Sequence, residues 1–278
     1  MSKLRISSIQ RGCVYDGPGV RTTIFLKGCC FHCPWCCNPE NISVAEENFV
    51  DDKKCIFFQG MDSRICIDCE RRGGNKSISK CPFGVSVPVA QDIDSSEVYE
   101  LIERDKESFG ENGGVTFSGG EPLLQAKQLT SILQSCKANN VHVLFETTLF
   151  VSPELLNAVL PYTDNMIVDL KLQSEQGDIS RYLKTLAANL AIVERHNIAI
   201  HYRLVFVNSM LSVKHNVLNQ LKSLKVVSVE LIKCHNLGKM KYEKLQQENH
   251  DFTAADDMYE EFALFLNVNG IVVSCLTL

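Results

Sequence analysis

The chain has 278 residues and a formal net charge of −5 at pH 7, and 45% of its residues are apolar and 22% are charged. This length allows one large domain with its own core, or one domain that carries an insert. The acidic balance and the lack of a basic stripe argue against a nucleic-acid partner, and no apolar run approaches the ~20 residues that a membrane span requires.

The cysteine content and the N-terminus indicate where the protein works. Residues 1–10 alternate polar and apolar side chains and lack the apolar core of a signal peptide. In a reducing compartment, thirteen cysteines indicate metal or redox chemistry rather than disulfides. We therefore expect a cytoplasmic protein with neither a membrane nor a nucleic-acid partner.

Strand and helix patterns alternate along most of the chain. Helices with one apolar face are predicted around residues 98–103, 129–136, 183–193 and 259–266. This alternation predicts a parallel sheet with right-handed crossovers. About six such units would form a partial (β/α)6 barrel of the TIM type, open on one side. Strands are predicted, most of them as unbroken apolar runs, at Thr22–Leu26, Val115–Phe117, Val141–Phe145, Met166–Leu170, Ile198–Val205, Val226–Ile232 and Ile271–Cys275.

One stretch without clear periodicity interrupts this pattern. We interpret residues 46–90 as a small cysteine-rich, ferredoxin-like insert between an N-terminal part of the core, 1–45, and the remainder, 91–278. Four thiolates can close a structural zinc site or hold an auxiliary [4Fe-4S] cluster that relays electrons. A Cys-Pro pair, which occurs in ferredoxin cysteine runs, favours the cluster. The cysteines of the insert are Cys55, Cys66, Cys69 and Cys81, and Pro82 follows the last of them.

A three-cysteine loop follows the first predicted barrel strand, with Cys29, Cys33 and Cys36 at C-x3-C-x2-C spacing. Structural zinc takes four ligands, and a cubic four-iron cluster needs one ligand for each iron. Three thiolates therefore leave one iron open to a small molecule. Parallel α/β folds place their chemistry at the carboxyl ends of strands, where this loop lies. A zinc knuckle or three unrelated buried thiols remain the alternative.

Polar residues follow the later strands as well. Gly119 and Gly120 come directly after a strand and allow a ligand to approach the backbone closely, and Glu121 offers an acceptor for an ammonium group. Each later position taken alone is weak evidence for a functional site. Together, these positions place polar groups at one rim of one barrel. These later residues are Glu146, Thr147, Asp169, Lys171, Arg203 and His235.

Taken together, these motifs resemble those of radical S-adenosylmethionine (SAM) enzymes, and most closely the activating enzymes of glycyl radical enzymes. That family shows a DGPG-x-R-T run and then F-x-x-GC-x3-C-x2-C-x-NPE, and the chain matches both between Asp16 and Glu40. It also matches a D-L-K run at 169–171 and an H-x-L/M-G-x-x-K-Y run at 235–242. The resemblance covers residues 8–40 and 113–278.

The resemblance implies a set of ligands. Cys29, Cys33 and Cys36 would hold a [4Fe-4S] cluster, and the amino and carboxylate groups of SAM would chelate its open iron. Arg203 would pair with the SAM carboxylate through a charge-assisted bond. Glu146, Thr147 and Asp169 would also hold a monovalent cation beside that carboxylate. The remaining residues of the implied SAM pocket are Gly119, Gly120, Glu121, Lys171 and His235.

The resemblance also implies the reaction. Flavodoxin or ferredoxin would reduce the cluster, directly or through the insert. SAM would then split into methionine and a 5′-deoxyadenosyl radical, which removes an α-hydrogen from a glycine of a partner glycyl radical enzyme. No catalytic side chain is assigned, because the cofactor carries the chemistry.

Two alternatives stay open. A radical SAM oxidoreductase or maturase could act on a small molecule or peptide, with the auxiliary cluster as electron acceptor. The loose spacing of the insert cysteines favours this reading, as does the segment after Lys171, which lacks the His and Thr-Gly of the family. A ferredoxin-like electron carrier or zinc-stabilised binding module is the second alternative. Such a protein would not require the Gly-Gly-Glu run at 119–121 or the polar residues at the rim.

Overall fold

The computed structural model describes residues 2–57, 59–61, 81–173 and 178–276, with Leu276 described by its backbone alone. Cys66 and Cys69 of the predicted insert lie outside the described residues. The strands are β1 (Lys3–Cys13), β2 (Arg21–Leu26), β3 (Asn48–Val50), β4 (Ser86–Pro88), β5 (Gln91–Asp94), β6 (Gly114–Gly119), β7 (His142–Thr147), β8 (Asn165–Asp169), β9 (Ala199–Phe206), β10 (Ser228–Lys233) and β11 (Val272–Leu276).

Nine of these strands form one sheet, in the order β11-β10-β9-β8-β7-β6-β2-β1-β5. All neighbours from β2 to β11 pair in parallel, whereas β1 pairs antiparallel with both β2 and β5. The predicted mixed α/β fold with a parallel sheet is therefore confirmed. The antiparallel extension was not predicted, because β1 is short of apolar residues along its second half and only its first residues, such as Leu4 and Ile6, are buried.

Helices connect the parallel strands and cover the sheet. The predicted apolar face of the second helix is confirmed, since Leu129, Ile132, Leu133 and Cys136 are all buried. None of the helices in the part of the chain that the structure describes is long and apolar enough to cross a membrane. The helices are α1 (Ser95–Asp105), α2 (Ala126–Ala138), α3 (Pro153–Val159), α4 (Ile179–Arg195), α5 (Ser209–Ser212), α6 (Lys214–Ser223), α7 (Lys239–Leu245) and α8 (Asp256–Val268).

The sheet curves around a cavity at the carboxyl ends of its parallel strands. Phe25 on β2 and Ile232 on β10 line the same cavity although five strand-to-strand steps separate their strands. Across a flat sheet those steps, at ~4.8 Å each, would place the two strands roughly 24 Å apart. This curvature is the geometry expected of the predicted partial barrel.

The loop between β1 and β2 runs inside the curved sheet and forms part of the cavity wall. A side chain at Gly17 would come within 2.6 Å of Leu144 Cδ1, and one at Gly19 within 2.4 Å of the Gly113 backbone nitrogen. Both glycines also have positive φ angles, +126° and +70°, which residues with a Cβ rarely adopt. The two glycines of the DGPG run are thus required for the loop to pack inside the barrel.

The base of the predicted insert is a separate two-stranded antiparallel sheet of β3 and β4. Beside it, Val50, Cys55 and Val85 form a small apolar cluster, and Cys81 packs against it. The insert cysteines on either side of the undescribed segment 62–80 therefore lie together at this base.

Candidate functional site

A cavity of about 370 Å³ opens where the parallel strands end. Its wall brings together all three cysteines of the loop after β2 and all but one of the residues predicted to bind SAM or a cation. They are Cys29, Cys33, Cys36, Gly119, Gly120, Glu146, Thr147, Asp169, Lys171, Arg203 and His235. Residues distant in sequence thus meet at the rim that the strand pattern predicted.

The three-cysteine loop, residues 28–42, is held closed by its own backbone. The Gly28 and Cys29 N–H groups donate to the carbonyls of Asn41 and Ile42, each at 2.9 Å. Cys33 is buried, Cys29 and Cys36 are half-buried, and none of the three forms a disulfide. This segment, which we call the cluster loop, therefore presents three sulfur donors to the cavity without a disulfide.

The number of sulfur donors in the cluster loop fits a cubane with three protein ligands. Among the described residues, no group of three His, Cys, Asp or Glu side chains converges as the ligands of one metal ion would. In a cubane each thiolate binds a different iron, so its ligands need not converge. The cluster loop therefore meets the requirement for a [4Fe-4S] cluster with one open iron.

A layer of later residues covers the outer side of the cluster loop. The ring of Trp35 meets that of Phe252 edge-on, with centroids 5.7 Å apart. Lys241 Nζ donates to Asn38 Oδ1 and to Glu40 Oε1, each at 2.6 Å. These contacts fix the second half of the cluster loop against the later part of the chain.

Arg203 on β9 is the centre of a buried ion-pair network. Its Nη1 donates to Glu146 Oε1 at 2.5 Å, its Nε to Glu230 Oε2 at 2.7 Å, and its Nη2 to the Tyr15 carbonyl at 3.0 Å. Burial disfavours the charged guanidinium, but the two carboxylates outweigh it and raise the pKa of Arg203. Burial likewise opposes ionisation of Glu146, yet Arg203 and a hydrogen bond from Ser118 hold the pKa of Glu146 below its usual range.

Glu230 is a member of this network that sequence reasoning missed. It lies on β10 directly opposite Arg203 in the parallel register. The available signal was a carboxylate inside the otherwise apolar run 226–232, where an unpaired charge would be costly. Glu230 contacts Arg203, which lines the cavity.

Asp169 and Lys171 form a second ion pair on the cavity wall, with Lys171 Nζ 2.5 Å from Asp169 Oδ2. Burial favours the neutral amine, but the Asp169 charge raises the pKa of Lys171 well above its ordinary value. The other carboxylate oxygen, Asp169 Oδ1, is buried and has no hydrogen-bond partner. Such an orphaned oxygen fits a cation or an ammonium group in the cavity.

Glu121 differs from the other predicted residues, because the structure does not bring it to the cavity wall. Its carboxylate is buried behind β7, where Oε1 accepts from Thr147 Oγ1 at 2.7 Å and from the Leu123 N–H at 3.2 Å. Oε2 accepts from the N–H and Oγ1 of Thr148, at 2.8 and 2.6 Å. Burial raises the pKa of Glu121. The side chain therefore fixes the turn after β7.

That turn is strained and tightly held. Leu149 is fully buried and has a φ of +55°, a left-handed conformation that costs a non-glycine residue roughly 1–2 kcal/mol. Asn189 on α4 donates to the Leu149 carbonyl at 2.8 Å, and Tyr182 donates to the Thr148 carbonyl at 3.3 Å. Because buried side chains fix the turn from both sides, Thr147 and Thr148 keep a defined position on the cavity wall.

A curved parallel sheet that carries a three-cysteine loop beside glycines and ion pairs at its strand ends is the architecture of a radical SAM enzyme. The chain matches the family described as "4Fe-4S single cluster domain" over residues 15–189. It is also similar to a solved structure, "Native anSMEcpe with bound AdoMet", with a TM-score of 0.51 and 12% identity, covering 90% of this chain and 61% of that one. This likeness supports the fold.

Three curated relatives indicate which group of radical SAM enzymes the chain is similar to. The 4-hydroxyphenylacetate decarboxylase activating enzyme of Clostridioides difficile (strain CD196) is 27% identical, over 92% of this chain and 89% of that protein. The (2S)-3-sulfopropanediol dehydratase activating enzyme of Klebsiella oxytoca is 30% identical, over 86% and 84%. The pyruvate formate-lyase 2-activating enzyme of Escherichia coli (strain K12) is 29% identical, over 87% and 80%.

The chain therefore belongs to the glycyl radical enzyme activating enzymes of the radical SAM family. The predicted family, the enzyme class and the two cofactors, a [4Fe-4S] cluster and SAM, are confirmed. The residues that hold each cofactor and the content of the insert remain predictions.

Proposed function

We propose that this chain activates a partner glycyl radical enzyme by creating a glycine-centred radical in it. The observation that carries this proposal is that Cys29, Cys33 and Cys36 line the same cavity as Gly119, Gly120 and Arg203. When bound, the cluster supplies the electron that splits SAM into methionine and a 5′-deoxyadenosyl radical, which takes an α-hydrogen from the glycine. The kind of partner follows from the relatives, which are activating enzymes of such proteins.

In this proposal Cys29, Cys33 and Cys36 are the cluster ligands. Support comes from their shared place on the cavity wall, where none of them forms a disulfide. Cys30 and Cys37 lie next to ligand positions, but only Cys37 lines the cavity. The C-x3-C-x2-C spacing therefore remains the basis for choosing the three ligands.

The amino-acid end of SAM would bind at the end of β6 and along the ion-pair rim. A side chain at Gly119 or Gly120 would come within 2.4 Å of the Leu26 nitrogen or 2.1 Å of the Gly28 carbonyl oxygen. Glycine there lets the β6 backbone lie directly against the start of the cluster loop. Arg203 and Lys171 would orient the SAM carboxylate, and His235 lines the same cavity.

A monovalent cation would balance the negative charge that the SAM carboxylate brings to this site. Arg203 and Lys171 are already paired with Glu146 and Asp169, so the SAM carboxylate would add a further negative charge. Oxygen ligands suit a hard cation. The orphaned Asp169 Oδ1, together with oxygens of Glu146 and Thr147, would supply such ligands.

The chain's own part in the reaction is to orient the reactants and exclude water. Arg203 ties the β1–β2 loop to the cavity wall through the Tyr15 carbonyl, and Trp35 packs against Phe252 beside the cluster loop. Holding reactants in one geometry removes much of the entropic barrier. Exclusion of water protects a reactive radical from side reactions.

We further propose that residues 46–90 form a distinct ferredoxin-like insert. Cys55, Cys66, Cys69 and Cys81 would hold an auxiliary [4Fe-4S] cluster, with structural zinc as the alternative. The proximity of Cys55 and Cys81 at the insert base supports a shared site. Flavodoxin or ferredoxin would supply the electrons, and the cytoplasm remains the expected compartment because free thiols dominate the chain.

The test is anaerobic incubation of the reconstituted protein with SAM, dithionite and candidate glycyl radical enzymes. We expect an EPR doublet from a glycine-centred radical in the partner and release of 5′-deoxyadenosine and methionine. SAM cleavage that is coupled only to a small molecule or peptide would favour the oxidoreductase alternative. Absence of SAM cleavage by a fully iron-loaded protein would refute the proposed function.

A further inference from the structure

A fully buried lysine lies where the cluster loop begins. The side chain of Lys27 is 0% exposed, and its Nζ donates to Glu47 Oε2 at 2.6 Å and to the Glu40 carbonyl at 2.7 Å. We propose that Lys27 and Glu47 are a positioning pair through which the insert holds the cluster loop in the geometry that binds SAM. This inference rests on the proposed function and gives the insert a role besides holding a metal.

Lys27 acts on the neck of the cluster loop, which we define as residues 27–29 and 40–42. Two backbone hydrogen bonds of 2.9 Å each already join the two sides of this neck. The bond from Lys27 Nζ to the Glu40 carbonyl is a third, next to them in sequence. It is the one of the three in which the donor is charged, and charge-assisted hydrogen bonds are the stronger kind.

The neck joins the proposed ligand Cys29 to the glycines where the amino-acid end of SAM would bind. The Gly28 carbonyl accepts from the Glu121 N–H at 2.7 Å, and the Gly120 N–H donates to the Leu26 carbonyl at 2.9 Å. Bound SAM would have to reach the open iron and these glycines at the same time. A displaced neck would therefore misplace one binding element relative to the other, and such misplacement is costly for binding and for reaction.

Glu47 brings its negative charge from the insert. It lies directly before β3, and its carbonyl accepts from the Val89 N–H at 2.9 Å, which extends the pairing of β3 with β4 by one residue. The base of the insert therefore fixes the backbone of Glu47. The Glu40 carboxylate does not neutralise Lys27, because it pairs with Lys241. Glu47 is thus the counter-ion of the buried ammonium group.

The backbone of Lys27 is fixed as firmly as its side chain. Its N–H donates to the Arg5 carbonyl at 3.0 Å, and its carbonyl accepts from Gln125 Nε2 at 3.0 Å. Without the charge of Glu47, the ammonium group would be buried and uncompensated, which is strongly unfavourable. The lysine side chain would then turn toward water and release the Glu40 carbonyl. Loss of this charge should therefore open the neck locally while the sheet stays folded.

The experiment compares Glu47→Gln, which removes the charge at nearly constant size, with Glu46→Gln as the matched control. Glu46 is the neighbouring residue, and its side chain is 90% exposed and lies 3.7 Å from Arg5. Hydrogen–deuterium exchange of the reconstituted protein is measured in peptides that cover residues 28–42 and in peptides that cover β9. SAM binding is measured by anaerobic equilibrium titration.

A double variant, Lys27→Met with Glu47→Gln, separates positioning from stability. It has no unpaired buried charge, so it should unfold at a higher temperature than Glu47→Gln alone. Methionine offers no donor to the Glu40 carbonyl, so SAM binding should stay weak. This variant also supplies the SAM measurement where the single substitution unfolds the protein.

We expect Glu47→Gln to speed exchange in the cluster loop and to weaken SAM binding, each about tenfold or more, the effect of losing a charged hydrogen-bond partner. Exchange in β9, and both measurements in Glu46→Gln, should change by no more than about twofold.

Three results would overturn the inference: behaviour of Glu47→Gln equal to that of the control, an equal rise of exchange in β9, or recovery of SAM affinity in the double variant. Failure of the unsubstituted protein to bind SAM would count against the proposed function. The exchange comparison would still decide whether the pair closes the neck.

Discussion

The cluster loop and the insert are both rich in cysteine, yet the fold holds them differently. The cluster loop leaves a buried strand of the nine-stranded sheet, and α7 and β6 pack on it. The insert base rests on two strands of three residues each and on an apolar cluster of Val50, Cys55 and Val85. Among the described residues of the insert, this cluster is far smaller than the core beneath the cluster loop. The comparison teaches that the sheet preorganises the cluster loop. Folding of the insert, in contrast, is expected to depend on the metal that we propose it binds.

The largest expected effect is at the cluster loop. Cys33→Ala removes one of three proposed ligands, and we expect complete loss of reductive SAM cleavage, measured as 5′-deoxyadenosine release with dithionite. Cys55→Ala in the insert is the matched control and should retain dithionite-driven cleavage. Turnover by the Cys33 variant would remove that cysteine from the ligand set, and equal loss in both variants would abolish the distinction between the two regions.

A smaller effect, on SAM binding, is expected for Arg203→Ala. Loss of a charged hydrogen-bond donor should weaken SAM binding about tenfold to a hundredfold, as measured by equilibrium titration of the anaerobic protein. Lys214→Ala is the control, because Lys214 pairs with Glu261 at 2.8 Å outside the cavity. An unchanged dissociation constant for Arg203→Ala would show that the rim does not bind the SAM carboxylate.

Iron content separates the two cysteine sites directly. The reconstituted protein should hold about eight irons, and Cys81→Ala should hold about four, as for two cubanes and one. Metal analysis that gives about four irons and one zinc in the unsubstituted protein would instead establish a structural zinc in the insert. In that case an electron relay through the insert would be excluded.

The smallest effect, a modest gain in SAM affinity, is expected for Glu230→Gln. Glutamine keeps an acceptor for Arg203 Nε but removes a negative charge near the proposed SAM carboxylate. SAM binding should therefore tighten by about two- to fivefold, the size of a screened interaction over several ångströms. Decarboxylated SAM, which lacks the carboxylate, should bind equally to both forms. Weaker binding of SAM would mean that Glu230 is needed to orient Arg203.

Much of the barrel and its rim could be predicted from the sequence, because apolar strands with helices between them leave a strong periodic signal. All seven predicted strands lie in the sheet, and their ends bring Gly119, Glu146, Asp169 and Arg203 to one cavity. Parallel strands make this inference possible, since their carboxyl ends must meet at one edge.

The remaining features depend on contacts that a linear pattern does not specify. Glu121 was predicted to belong to the SAM pocket, but its motif could not show that the carboxylate accepts hydrogen bonds from Thr147 and Thr148. Glu230 was missed because its partner lies on a different strand, in a register known only from the sheet. The insert has no periodicity, so its cysteines could be recognised but their arrangement could not.

The most direct test of the central claim is EPR spectroscopy of the reduced protein with Cys55 and Cys81 both replaced by Ala, so that only the cluster loop can hold a cubane. We predict the signal of a reduced [4Fe-4S] cluster whose shape changes when SAM is added, because SAM would chelate the open iron. A cluster signal that is indifferent to SAM, or a protein that contains zinc in place of iron, would contradict the account.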